Sequence, residues 1–315
     1  MTYVNSAVRY FTVSLALAAS ALSLPALGAE PGLLAAKEAR HVAATFPGRM
    51  AGTPMEDATA KYIADRLLEM GYKPRLERFF TGYTFRWESQ PDRGHDFRSL
   101  ISTNVIVERR GTSGRQIIVG AHFDSRIPTS ERDLERNIGG PKLEGLDDNA
   151  SGTGVLLELA EAFREVAPTH TITFIAFGAE EIGLHGAHEV INRMTPEERA
   201  NTLWMVNIDS IVTGDRLYFH AGPETYAKDP KAGHARDRAL AIAAALGITA
   251  TTNPGLNADH PKGTGCCSDQ AAFDAAGIPV VNLEASLPAG RVDERTRDAI
   301  RILVPLVKEL AGAKP

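Results

Sequence analysis

The strongest constraint on the fold is a repeated exchange between short apolar runs and longer stretches with helical spacing. Gln116 to Ala121, QIIVGA, is followed by an amphipathic stretch from Gly154 to Val166. Phe174 to Phe177 is followed by another from Leu184 to Met194, and Leu203 to Ile208 is apolar again. Short apolar runs bounded by turn signals read as buried strands, and apolar positions three and four apart read as one face of a helix. Parallel strands need crossovers between them, so this order predicts an α/β fold. We expect a three-layer sandwich with a largely parallel, mixed central sheet.

The flanking sequence extends the pattern. Helices are predicted over Leu33–Phe46, Ala235–Leu246, Gln270–Ala276 and Asp293–Leu310. Another is predicted over Glu56–Met70, opened by Thr53-Pro54 and stopped by Gly71. Lys73–Phe80, Thr103–Arg109, Arg216–His220 and Val280–Leu283 read as strands, and the polar, aromatic-containing segment Thr81–Arg98 as a loop or lid. With no internal repeat or linker, residues 30–315 are expected to form one domain.

Residues 1–29 stand apart. Arg9 precedes an apolar stretch from Phe11 to Leu24, and the small residues Ala26 and Gly28 follow. This is the pattern of a secretory signal peptide, from which the mature protein is expected in the periplasm or outside the cell, with an uncleaved N-terminal anchor as the alternative. No later segment approaches the roughly 18 consecutive apolar residues of a spanning helix, so no membrane span is expected in the mature chain. The formal net charge of -5, with no basic run, argues against a nucleic-acid partner. The two cysteines, Cys266 and Cys267, are adjacent and cannot clip a long loop. We read them as two partly buried small side chains, with a vicinal disulfide or a soft-metal pair as alternatives.

Chemistry-bearing residues recur where the apolar runs stop. His122 and Asp124 follow QIIVGA, Asp147 and Asp148 precede an amphipathic helix, Glu180 and Glu181 follow FIAF, and Asp209 follows Ile208. Taken singly, each has an ordinary explanation: two glutamates can open a solvated helix, and a histidine two residues from an aspartate can be a surface hydrogen bond. In open α/β sheets, however, ligands bind beyond the carboxyl ends of the strands. Six carboxylates and an imidazole gathered there would repel strongly without a counter-ion, and a dication removes the conflict. The mixed imidazole and carboxylate set suits zinc, with manganese or cobalt as substitutes.

AHFDS, GLDDNASG, FGAEEIGLHG and VNID resemble, in this order, the motifs of the co-catalytic zinc aminopeptidases of the bacterial leucyl aminopeptidase and aminopeptidase Y type. ATTNPGLN, PKGTGCC and ILVPLVKEL carry the likeness over nearly the whole mature chain. The resemblance implies a zinc exopeptidase fold and hydrolysis of N-terminal residues from peptides or protein termini. It implies that His122, Asp148 and Asp209 hold one zinc, and that Asp148 bridges to a second zinc ligated by Glu181. Glu180 would be the general base and Asp124 would orient His122. Asp147 falls outside this ligand set, and we expect it to cap the helix near Gly152.

The chain departs from the family pattern at one place. A further histidine, on a loop before the closing helix, completes the second zinc site in the family. This chain has no histidine after His260, and only ASLPAGRV separates Glu284 from the helix expected near Asp293. Three readings follow. His260 or His234 fills the position, the site holds one zinc with impaired activity, or the protein is a non-catalytic binding module on the same fold. A single-zinc glutaminyl cyclase is a further alternative.

Overall fold

The computed structural model describes residues 30–313 except 91, 215, 256–260 and 286–290. The segment read as a signal peptide, His260 and most of the short loop before the closing helix therefore lie outside the described residues. Among those described, no helix is long and apolar enough to cross a membrane.

The central sheet is eight-stranded: β1 (Arg75–Arg86), β2 (His95–Arg109), β3 (Gln116–His122), β4 (Thr171–Phe177), β5 (Thr202–Ile208), β6 (Leu217–Ala221), β7 (Ala250–Thr251) and β8 (Val280–Ala285). Their order across the sheet is β1-β2-β4-β3-β5-β8-β6-β7. The middle, β4-β3-β5-β8, is parallel throughout, while β1, β2 and β6 pair antiparallel at the flanks. This is the expected mixed sandwich. The parallel strands are apolar on both faces because helices cover both.

On one face lie Ile117, Val119, Phe174, Ala176, Val206, Ile208, Val281 and Leu283. They pack against the helices Leu33–Thr45, Pro54–Glu69, Gly152–Phe163, His234–Ala245 and Val292–Leu310. On the other face, Ile118, Ile175, Phe177, Met205 and Val280 form a smaller cluster with the helices His185–Arg193 and Gln270–Ala275. The second helix of the chain starts as its sequence predicts. Thr53 accepts the Glu56 N–H at 3.2 Å, with Pro54 in the first turn.

Two expectations are corrected. Thr81–Arg98 is not a loop throughout: β1 takes it to Arg86 and β2 resumes at His95, and the two pair from Arg75↔Ile106 to Arg86↔His95 as a long hairpin. Phe79 and Phe85, six residues apart and so on one face of β1, are buried. The Arg98 guanidinium lies 4.2 Å over the Phe85 ring and Arg93 lies 4.0 Å over Trp87. Arginine stacked on aromatic rings thus gives a polar segment the packing a strand needs. The second correction concerns the cysteines, which are joined as a disulfide. The chain passes through a left-handed conformation at Cys267 (φ 85) as it makes this turn.

Candidate metal centre

The C-terminal ends of β3, β4, β5 and β8 form one edge, and the site is assembled there. His122 is the last residue of β3, and Asp209 follows β5. Asp148 arrives from the segment Leu146–Ser151, which curls over the edge before the Gly152–Phe163 helix. A Cβ on Gly152 would stand 2.3 Å from the Ile208 carbonyl oxygen, so only glycine lets this segment seat against β5. Asn149 locks it there: its amide donates to the Ile208 carbonyl at 2.9 Å while its oxygen accepts the Gly152 N–H at 2.8 Å. The Asp148–Asn149 peptide is cis.

His122, Asp148 and Asp209 come together with one donor atom each, all within 4.8 Å of one another. The His122 Nε2 is 3.2 Å from Asp148 Oδ1, 3.3 Å from Asp209 Oδ1 and 3.9 Å from Glu180 Oε2. Asp124 lies on the other side of the ring, 3.6 Å from Nδ1, which is ion-pair rather than hydrogen-bond distance. Its carboxylate instead accepts the Glu180 N–H at 3.0 Å and the Glu181 N–H at 3.2 Å. Asp124 therefore fixes the backbone of the glutamate pair as well as flanking the histidine.

The electrostatics show why the cluster suits a cation. Burial pushes the Glu180 carboxyl up to about 10; His122 opposes the shift, and Asp269, Asp209 and Asp124 add to it. Burial, then Asp148, lifts Glu181 to about 8. Burial disfavours charge on the His122 ring, yet Glu180 and Asp209 raise it well above an ordinary imidazole. Asp209 ends below its usual value, since His122 and hydrogen bonds from His122, Ser268 and Ser210 outweigh the effect of burial. Glu181 Oε1 and both Asp269 oxygens are buried without a hydrogen-bond partner. Orphaned carboxylate oxygens beside a converging His-Asp-Asp set fit a divalent cation.

Asp147 does not cap the helix near Gly152. Its carboxylate accepts the Val212 and Thr213 N–H groups at 2.8 and 3.1 Å and the Thr213 hydroxyl at 2.6 Å, tying the Asp148 segment to the chain after β5. Neighbouring residues share a rigid backbone, so holding Asp147 also aims Asp148. His234 is exposed at the start of its helix, which packs on the larger-core face, and is not part of the His122, Asp148 and Asp209 group that could hold a metal.

Two further residues belong to the site. Arg49 is wholly buried and donates to the Phe123, Glu144 and Gly145 carbonyls at 2.6, 2.5 and 2.6 Å. It clamps the turn after His122 to the segment leading to Asp148. Asp269 is fully buried, carries the orphaned oxygens, and is raised well above its usual value by burial. Arg49 has no local sequence pattern around it. Asp269 follows Ser268 just before a short apolar helix, a pattern that reads as an ordinary helix start.

An imidazole and carboxylates gathered at the strand ends of an α/β sandwich suit a metal-dependent hydrolase. The chain belongs to peptidase family M28, whose model matches residues 104–302. It is 40% identical to the alkaline phosphatase isozyme conversion protein of Escherichia coli (strain K12), across 98% of this chain and 99% of that one. That alignment runs to 347 residues, more than this chain contains, so the relative carries inserted segments that this chain lacks. An aminopeptidase of Pseudomonas aeruginosa is 31% identical over 43% of this chain and 23% of its own length. Among solved structures, a zinc aminopeptidase from Bacillus subtilis superposes with a TM-score of 0.68 at 16% identity, covering 91% of this chain and 96% of that one. A Fimbriiglobus ruber glutaminyl cyclase does so at 0.67 and 17%, over 88% and 94%. These two likenesses show the fold alone.

Proposed function

We propose that this protein is a zinc-dependent aminopeptidase that removes N-terminal residues from peptides or protein termini in the periplasm or outside the cell. Membership of the family supports hydrolysis, and the 31% identical aminopeptidase of Pseudomonas aeruginosa supports the narrower reading as this kind of peptidase. The observation that carries the site is the convergence of His122, Asp148 and Asp209 with Glu180 beside them. His122, Asp148 and Asp209 would hold the first zinc, and Asp148 with Glu181 would face the second. Zinc held there would polarise the scissile carbonyl and acidify the attacking water.

The protein's own groups do the rest. Glu180, adjacent in sequence to Glu181 and fixed through its N–H by Asp124, takes the proton of the attacking water and hands it to the departing amine. Asp124 fixes the position of Glu180 and flanks His122. Asp147 and Arg49 fix Asp148 relative to His122. For the second position, the described residues offer Asp148 and Glu181, and the orphaned Glu181 Oε1 supports its use. With no histidine after His260, we read this position as the weaker one, and hydrolysis as slower than in a relative that carries the late histidine.

The test is hydrolysis of aminoacyl anilides and short peptides, each with a free and an acetylated N-terminus, before and after chelation. Zinc-dependent cleavage restricted to free N-termini is expected. Cyclisation of N-terminal glutamine without cleavage would replace this reading with the cyclase, and absence of both reactions would leave a binding protein.

A further inference from the structure

We infer that Glu284 receives the positive charge of the substrate beside the metal centre. This rests on the aminopeptidase reading and adds to it a residue that neither the ligand set nor the general base includes. Strand register places Glu284 at the site edge. β5 and β8 are paired to Ile208↔Leu283, and the Asp209 N–H donates to the Leu283 carbonyl at 2.9 Å, so Asp209 and Glu284 lie abreast. Side chains alternate along strands. Met205 and Val280 share the smaller core cluster, the Asn207 amide donates to Asn282 at 3.1 Å, and Asp209 and Glu284 come next on that face. His122 lies two residues beyond Gly120, whose added Cβ would meet Phe177 and Met205 of the same face. The row His122, Asp209, Glu284 thus spans β3, β5 and β8, at strand spacings of about 4.8 Å. An aminoacyl group is about that long.

Glu284 is also prepared for a ligand. His220 Nε2 lies 3.0 Å from Glu284 Oε1, and the Asn282 amide donates to Oε2 at 3.1 Å. His220 is buried, and its Nδ1 accepts the Asn253 N–H at 3.3 Å. With Nδ1 accepting that N–H, Nε2 carries the ring proton and donates it to the carboxylate. Each Glu284 oxygen is held from behind, while the side chain remains 37% exposed. A carboxylate held in one orientation by two donors presents its outer lone pairs, which suit an ammonium or guanidinium group. The metal-binding group does not include it.

The cation is either the α-ammonium common to every substrate or a basic side chain of the residue removed. Glu284→Gln keeps the shape and the His220 hydrogen bond and removes the charge. With leucyl, lysyl and arginyl anilides on the zinc-loaded enzyme, KM should rise about tenfold with kcat nearly unchanged, as expected for loss of one charge-assisted contact. An equal rise on all three assigns the α-ammonium, and a rise confined to lysyl and arginyl assigns the side chain. A KM unchanged on all three, in a variant that still cleaves, overturns the inference and leaves the aminopeptidase standing. If the wild type cleaves none of them, the aminopeptidase reading has failed. Calorimetric binding of leucinamide and lysinamide then decides the role of Glu284: binding weakened by the substitution supports it, and equal binding overturns it.

Discussion

The two faces of the central sheet are made by the same strands and differ in what happens at their last positions. On the face under the Val292–Leu310 helix, β3, β4, β5 and β8 stay apolar to the end, through Ala121, Ala176, Ile208 and Leu283. On the other face, three of the four strands turn polar: Ile118 gives way to His122, Met205 to Asn207 and Asp209, and Val280 to Asn282 and Glu284. Period-two alternation lets one strand do both. Stability is concentrated on the first face, and the second gives up apolar area so that its edge can carry charge. Clustered acids that are pushed up to about 8 and about 10 are a local liability that the opposite core must outweigh.

The sharpest way to break this contrast is a pair of substitutions, one per face. Glu180→Gln should lower kcat by about 10² to 10⁴. It should leave the melting temperature of the chelated protein unchanged or higher, because it removes one of several crowded acids. Leu303→Ala, at a fully buried site of the larger core, should do the reverse. It should remove about 2 to 5 kcal/mol of stability and leave kcat per folded molecule nearly unchanged. Equal losses of both properties in both variants would dissolve the distinction.

A smaller effect follows from pH. Folding raises Glu180 and Glu181, so the folded, metal-free protein holds protons that the unfolded chain releases above the ordinary carboxylate value of 4.5. Stability of the chelated protein should therefore fall as pH rises, through about 8 for Glu181 and towards about 10 for Glu180, by up to about 1.4 kcal/mol per unit for each group. His122, also raised, pulls in the same direction. Zinc competes with these protons, so the gap in melting temperature between zinc-loaded and chelated protein should widen from pH 6 to 8. A gap that narrows would contradict the placement of the acids.

Much of this arrangement is legible in the sequence, for physical reasons. An apolar run that stops at a charged residue marks both a buried strand and its exposed end, so His122, Glu180, Glu181 and Asp209 announce themselves. Asp148 is legible through its motif. Glu284 carries the same strand-end mark as Asp209, but a lone acid says nothing until register places it beside Asp209. Arg49 and Asp269 come from distant segments, and only the fold brings them to the site. The β1–β2 hairpin hides because its packing uses Arg98, with Arg93 at the connecting turn, against aromatic rings, and arginines along a linear chain look solvated. The duty of Asp147 follows from where the chain after β5 passes, which no local pattern encodes.

The central claim is that the strand-end cluster binds zinc and that this zinc is needed for hydrolysis. Zinc per chain and the rate of leucyl anilide cleavage, measured together for the wild type and for Asp209→Asn, test it most directly. The account predicts at least one zinc per wild-type chain, with both metal and activity lost in the variant. A variant that keeps its zinc and its rate would contradict it.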